Sequence, residues 1–165
     1  MKHFDNREDF RTDEEFANFR NLILANHKSM AFFRSASAVR NKYGRANTVR
    51  YLMQKNSIHQ IVDFSSIEYR CMSDEFCFIL VQKLRTILMK NPPYIIQCDS
   101  GKKRTGFVCL ILEMLSGTNY NNIVNDLYAS ITYWTFLNLS LAYLCKLLMV
   151  EFVSCCYLYG QNEVF

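Results

Sequence analysis

The sequence predicts an α/β fold in which helices flank a mostly parallel central sheet. Two observations carry this. Short apolar runs of strand length alternate with longer stretches of helical periodicity, the pattern that places parallel strands side by side with helices packed on their faces. A polar, glycine-containing turn also joins one such strand directly to a helix at 97–105, the place where ligands bind in sheets of this kind. The composition agrees: 165 residues, 50% hydrophobic and 15% aromatic with 5 Gly and 2 Pro, suit one packed core and exclude a collagen-like or disordered chain.

The elements follow in order. Thr12 followed by Glu15 is a capping box, and Phe16, Phe19 and Ile23 recur at helical spacing, so a short early helix is expected. Residues 31–34 read as a brief apolar strand opening into a polar loop at 35–44. Residues 45–55 read as a helix ending at Asn56, and 58–64 as a strand rich in branched residues. Next comes a helix with Ser73 as cap, Asp74 and Glu75 in its first turn and Lys90 in its last, each charge matching the helix dipole. Phe76, Ile79, Leu80, Leu84, Ile87 and Leu88 form its apolar face, and Asn91-Pro92-Pro93 stops it. A short buried strand at 94–97 follows, then a helix at 105–115 capped by Gly117, and a further helix from Asn119. Residues 127–145 carry no formal charge, but Ser130, Thr132, Thr135, Asn138 and Ser140 dilute them below a membrane span, so buried helix is expected there. The chain reads as a single domain over 1–165, with 131–165 a helical tail of unassigned role.

Charge is unevenly placed. Residues 1–15 hold six acids, whereas 16–62 hold none and eight bases, so an anionic ligand or a plain solvated basic face is expected. Arg34 and Arg45 are read either as recruiting such a ligand or as surface residues. The seven cysteines lack the regular spacing of a disulfide framework, and the N-terminal stretch has no apolar signal segment, which points to a reducing cytoplasm. Cys109, Cys145, Cys155 and Cys156 read as small buried hydrophobes. Scattered histidines argue against a metal site, and no nucleic-acid motif accompanies the aromatics.

The turn at 98–106 reads Cys98-Asp99-Ser100-Gly101-Lys102-Lys103-Arg104-Thr105-Gly106. A strand entering a tight loop that opens a helix can point backbone N–H groups at a tetrahedral dianion, at the positive end of the helix dipole. Gly101 permits the unusual backbone angles such a loop needs. The planar fork of Arg104 can clamp two phosphate oxygens, a geometry lysine cannot reproduce. Cys98 lies at the base of the same positive field, where a thiol is expected to act as thiolate, and Thr105 can donate its hydroxyl to that sulfur.

This Cys-x5-Arg-Thr constellation resembles the cysteine-dependent protein tyrosine phosphatase superfamily. More narrowly, it resembles the bacterial tyrosine-phosphatase-like family that also acts on inositol lipids. The residues that carry the resemblance are Glu14-Glu15-Phe16-Ala17-Asn18-Phe19-Arg20, Phe33-Arg34-Ser35-Ala36-Ser37, and the run from Pro93-Tyr94 to Gly106 with Phe107 and Leu112-Glu113 behind it. It spans about 5–130 and implies hydrolysis of phosphotyrosine or inositol-lipid phosphates through a phosphocysteine intermediate, with no cofactor or metal. Cys98 is then the nucleophile and Arg104 the phosphate clamp, with Asp99, Ser100, Gly101, Lys102, Lys103 and Thr105 lining the substrate. The partner is a phosphorylated protein or a phosphoinositide; no nucleic acid and no membrane span are expected, while peripheral contact with a membrane stays open.

The chain departs from the family at three places. Gln97 stands where the residue before the cysteine is usually histidine, and Lys103 where an aspartate often precedes the arginine. The segment after Ile67 is short. Asp63, 35 residues before Cys98 at a predicted strand end, is the first candidate for general acid, with Glu68 and Asp99 as alternatives; Asp74 is better explained as a first-turn helix residue. The rival reading is a catalytically weak pseudophosphatase that binds phosphate, and a sulfurtransferase with a similar loop is a third.

Overall fold

The computed structural model describes residues 6–25, 32–66, 74–89 and 92–131. These belong to one compact unit, Met1–Thr132; a second unit, Tyr133–Phe165, lies outside the described residues together with the tail read as helical. Four strands, β1 (Arg20–Leu22), β2 (Phe32–Ser35), β3 (Gln60–Asp63) and β4 (Tyr94–Gln97), form one sheet in the order β1-β2-β4-β3. β2 and β3 both run parallel to β4, and β1 is antiparallel to β2. The fold is α/β with a mostly parallel sheet, as the alternation of elements implied.

All four residues of β4 are buried, which is what a strand covered on both faces requires. Alternation along the strands sorts two cores. Phe33 and Ile95, in register on one face, pack with Ala17 of α1 (Asp13–Ala17) and Val49, Leu52 and Met53 of α2 (Ala46–Lys55). On the other face Phe32 stacks on Tyr94, whose hydroxyl donates to the Ile87 carbonyl of α3 (Asp74–Met89) at 2.7 Å. α4 (Lys103–Leu115) follows β4 and packs on α5 (Tyr120–Ile131). Leu80, Leu84 and Ile87 are buried as the apolar face of α3 required; Ser73, Lys90 and the side chains of Phe76 and Leu88 lie outside the described residues.

Local chemistry sets the boundaries. Thr12 Oγ1 accepts the Glu15 amide at 3.1 Å, but α1 stops at Ala17, because Asn18 turns left-handed at φ 49°. The helical spacing that extended to Ile23 therefore misled: Phe19 leaves the helix, residues 20–22 pair as β1, and Ile23 is exposed. At the other end, Gly117 (φ 71°) donates to the Met114 carbonyl and Thr118 to that of Glu113, the paired bonds of a Schellman cap. No helix among the described residues is long and apolar enough to cross a membrane.

Candidate active site

β4 delivers the chain into a loop at 98–102, and α4 begins at Lys103, two residues earlier than its apolar pattern indicated. Cys98, only 2% exposed, stands at the foot of this loop, and Arg104 lies in the first turn of the helix. Gly101 is doubly constrained. Its φ is 69°, and a Cβ there would overlap the Ser35 carbonyl and the Ala36 amide at the end of β2. Only glycine lets the loop press this closely on the neighbouring strand.

The nominated residues take distinct places. Arg104 turns toward the end of β3, where Nη1 donates to the Phe64 carbonyl at 2.9 Å and to that of Ser65, while Nη2 donates to Asp99 Oδ2 at 2.8 Å. Asp99 also faces the half-exposed Arg40, whose Nη1 is 3.7 Å from Oδ1. Ser100 is half-buried. Lys102 is buried, and burial first, then the nearby Arg45 charge, brings its pKa down to about 8. Lys103 is exposed, so the two lysines do not form a matched pair. Thr105 is fully buried, and among the described residues its Oγ1 has no hydrogen-bond partner.

Asp63 ends β3 in register with Gln97. Its Oδ1 accepts the Ser65 amide at 2.8 Å, so the carboxylate braces the turn whose carbonyls hold Arg104. Glu68 lies outside the described residues. Gln97, where histidine was expected, spans to the loop after β2: its Oε1 accepts the Ala38 amide at 2.8 Å.

Arg34 and Arg45 require correction, for neither is a surface residue nor exposed to a ligand. Arg34 is 0% exposed and paired to Asp126 of α5. Arg45 is 2% exposed, with its guanidinium 5.2 Å from the Phe16 ring centroid, 5.5 Å from Phe10 and 5.8 Å from Tyr43. Polar charge counting cannot distinguish a solvated arginine from one caged by aromatics or paired across more than ninety residues. Behind the loop, burial drives the Cys109 thiol up to about 12 and the Glu113 carboxyl up to about 8, the latter helped by the Asp126 charge. Cys109 is thus a buried thiol, as read.

Strand, glycine-containing loop and helix follow one another directly, and comparison with known families gives the family of the chain. The model of the tyrosine phosphatase family matches residues 5–148. The chain belongs to the tyrosine phosphatase family. The match runs beyond residue 130, where the motifs legible in the sequence end, and so covers part of the segment read as unassigned. No curated protein and no solved structure matches the chain. As a member of that family, this phosphatase-like chain has a phosphorylated substrate as its implied partner. Asn18 and Arg20 stand in the sequence only within the run that carries the resemblance, and nothing there singles out Asp126; the polar Asn-x-Arg after the capped segment is the signal for the first two.

Proposed function

We propose that the protein is a phosphomonoester hydrolase working through Cys98, carried by a single domain. The observation that supports it is the joint placement of Cys98 at the foot of the loop and Arg104 in the first turn of α4, around a glycine where any side chain would force the loop or β2 to shift. The Cys98 thiolate attacks phosphorus, forming an S–P bond as the ester P–O bond breaks, and the backbone N–H groups and Arg104 hold the equatorial oxygens. The leaving oxygen takes a proton from a carboxylic acid or departs as an anion. Water then attacks phosphorus, the S–P bond breaks, and phosphate and the thiolate are released. Thr105, with its unsatisfied hydroxyl, donates to the sulfur as it departs. No step calls on a metal.

By its place in the sequence Asp63 is the first candidate for the acid, although its carboxylate is turned to the Ser65 amide. Asp99 is a second, one residue from Cys98 and in direct contact with Arg104. The substrate is phosphotyrosine or an inositol-lipid phosphate, with Ser100 and the exposed Lys103 at the mouth and Lys102 buried near Arg45. Turnover of nitrophenyl phosphate by the purified protein tests the reading. Cys98→Ser should abolish it while retaining phosphate binding, and Arg104→Lys should remove most of it. Full activity in Cys98→Ser overturns the proposal, whereas phosphate binding without turnover in the unaltered protein selects the pseudophosphatase.

A further inference from the structure

The carbonyls of the loop are anchored from outside it. The Asp99 carbonyl accepts the Ser37 amide at 3.3 Å. Asn18 Nδ2 reaches the Ser100 carbonyl at 3.5 Å and the Gly101 carbonyl at 2.7 Å. Arg34 Nη2 reaches the same Gly101 oxygen at 2.9 Å. In a planar trans peptide the N–H points opposite the C=O, so holding a carbonyl fixes the direction of the next residue's N–H. The Gly101 amide donates to the Cys98 carbonyl at 3.3 Å, and the grip on the Gly101 carbonyl sets the direction of the N–H that follows it. An anion site built from backbone amides needs that orientation before the anion arrives.

The two side chains that hold Gly101 belong to a closed ring. Asn18 Oδ1 accepts Arg20 Nη1 at 2.7 Å, which fixes the amide so that its NH2 group faces the loop. Arg20 Nε donates to Asp126 Oδ1 at 2.6 Å, and Asp126 Oδ2 takes Arg34 Nη1. Arg34 then returns to the Gly101 carbonyl. The ring joins the end of α1, β1, β2 and α5 to one loop oxygen. Asp126 is the counter-ion of both guanidiniums, so the buried Arg34 has an ion-pair partner at Nη1 and its second terminal nitrogen is left to grip the loop, while its Nε has no hydrogen-bond partner among the described residues.

We propose that Asn18 and Arg34 are positioning residues that clamp the Gly101 carbonyl and so set the peptide plane that follows it for a phosphoryl dianion. The clamp rests on the phosphatase reading of the loop. Neither residue touches the reacting atoms; both act through the peptide plane after Gly101. Asn18 also supplies a left-handed residue, so its two contributions must be separated. Asn18→Gly keeps the backbone conformation and deletes the donor, whereas Asn18→Asp keeps the shape and sets a second acceptor against the carbonyl.

The test measures orthovanadate affinity, melting temperature, and kcat and KM on nitrophenyl phosphate for the full chain. Asn18→Gly should bind vanadate about tenfold more weakly, the value of one lost hydrogen bond to a buried group, and lose kcat more than KM. Asn18→Asp should bind vanadate at least as weakly as Asn18→Gly while melting no lower, an order that a purely structural role would reverse. If Asn18→Gly fails to fold, Asn18→Asp alone decides: vanadate affinity equal to the unaltered protein overturns the clamp. Equal affinity in a folded Asn18→Gly overturns it likewise. Failure of the unaltered protein to bind vanadate overturns instead the phosphatase reading on which the clamp depends.

Discussion

Asp99 and Arg104 are paired: the guanidinium that the sequence assigns to phosphate donates through Nη2 to the Asp99 carboxylate at 2.8 Å, while Nη1 is held by the Phe64 and Ser65 carbonyls. An incoming phosphate needs the same donors. On the proposed reading Asp99 is therefore an internal competitor for the clamp, one residue beyond Cys98.

Removing its charge should favour the ligand. Asp99→Asn is expected to lower the inhibition constant of inorganic phosphate by about three- to tenfold, a range set by the strength of a charge-assisted hydrogen bond in a partly exposed site. An unchanged constant sinks the competition argument. The same variant reports on acid catalysis: a kcat that falls for alkyl phosphates but not for nitrophenyl phosphate makes Asp99 the proton donor.

Gly101 offers a stricter test of the loop. With φ at 69° and the Ser35 carbonyl where a Cβ would sit, Gly101→Ala must move either the loop or β2. A cost of about 1–3 kcal/mol is expected from the backbone conformation alone, with the steric overlap adding to it. Vanadate binding should be lost at temperatures where the variant remains folded. Retained affinity would mean that the loop tolerates displacement from Ser35.

The α/β class and the position of the loop were legible because both depend on local signals: the apolar run at 94–97, the prolines before it and the helix after it. Most element boundaries fell close to their positions for the same reason. What misled was long range. Phe16, Phe19 and Ile23 have helical spacing, yet Asn18 adopts a left-handed conformation and the chain turns into β1. Arg34 and Arg45 carry charge but lie buried, one against Asp126 and the other among Phe10, Phe16 and Tyr43. Such partners are set by the sheet order β1-β2-β4-β3, which no short window of sequence encodes. The ring through Asn18, Arg20, Asp126 and Arg34 was invisible for that reason, although three of its members stood in recognisable motifs.

The two loop lysines should behave differently. Lys102 is buried beside Arg45 with its pKa near 8, so its charge is lost as pH rises through about 8. Lys103 is exposed. Lys103→Ala should reduce hydrolysis of polyphosphorylated inositol substrates more than of an aryl phosphate, with a difference that shrinks in high salt. Lys102→Ala should weaken both substrates below pH 8 and neither much above it. Parallel losses on both substrates for Lys103→Ala would remove the case for inositides.

Glu113 links the interior behind the loop to pH. Burial, then the Asp126 charge, raises its folded pKa to about 8, opposed by Arg34 and Arg20. The unfolded chain releases this proton near 4.3, the ordinary glutamate value. Between those limits the unfolded state binds fewer protons than the folded one, so stability falls as pH rises from about 4.3 to about 8 and then levels. Glu113→Gln cannot ionise. Its melting temperature should therefore change less between pH 5 and pH 8 than that of the unaltered protein, with the difference in its favour greatest at pH 8. Parallel melting curves across that range would show that Glu113 is not held protonated.

The leaving group provides the test of Asp63. General acid catalysis commonly contributes about 10² to 10⁴ in rate, and its signature is a rate that depends little on the leaving group's basicity. Here the Asp63 carboxylate accepts the Ser65 amide at 2.8 Å and braces the turn that holds Arg104, a task that directs it toward its own backbone. Without a donor the thiolate can still attack, but the oxygen must depart as an anion, and only activated esters react. A series of aryl phosphates should accordingly show rates that fall steeply as the phenol becomes more basic. Asp63→Asn should change the slope little and lower all rates by a similar, modest factor through the loosened turn. A flat dependence that becomes steep in Asp63→Asn would instead establish Asp63 as the proton donor, because only loss of that proton converts one slope into the other.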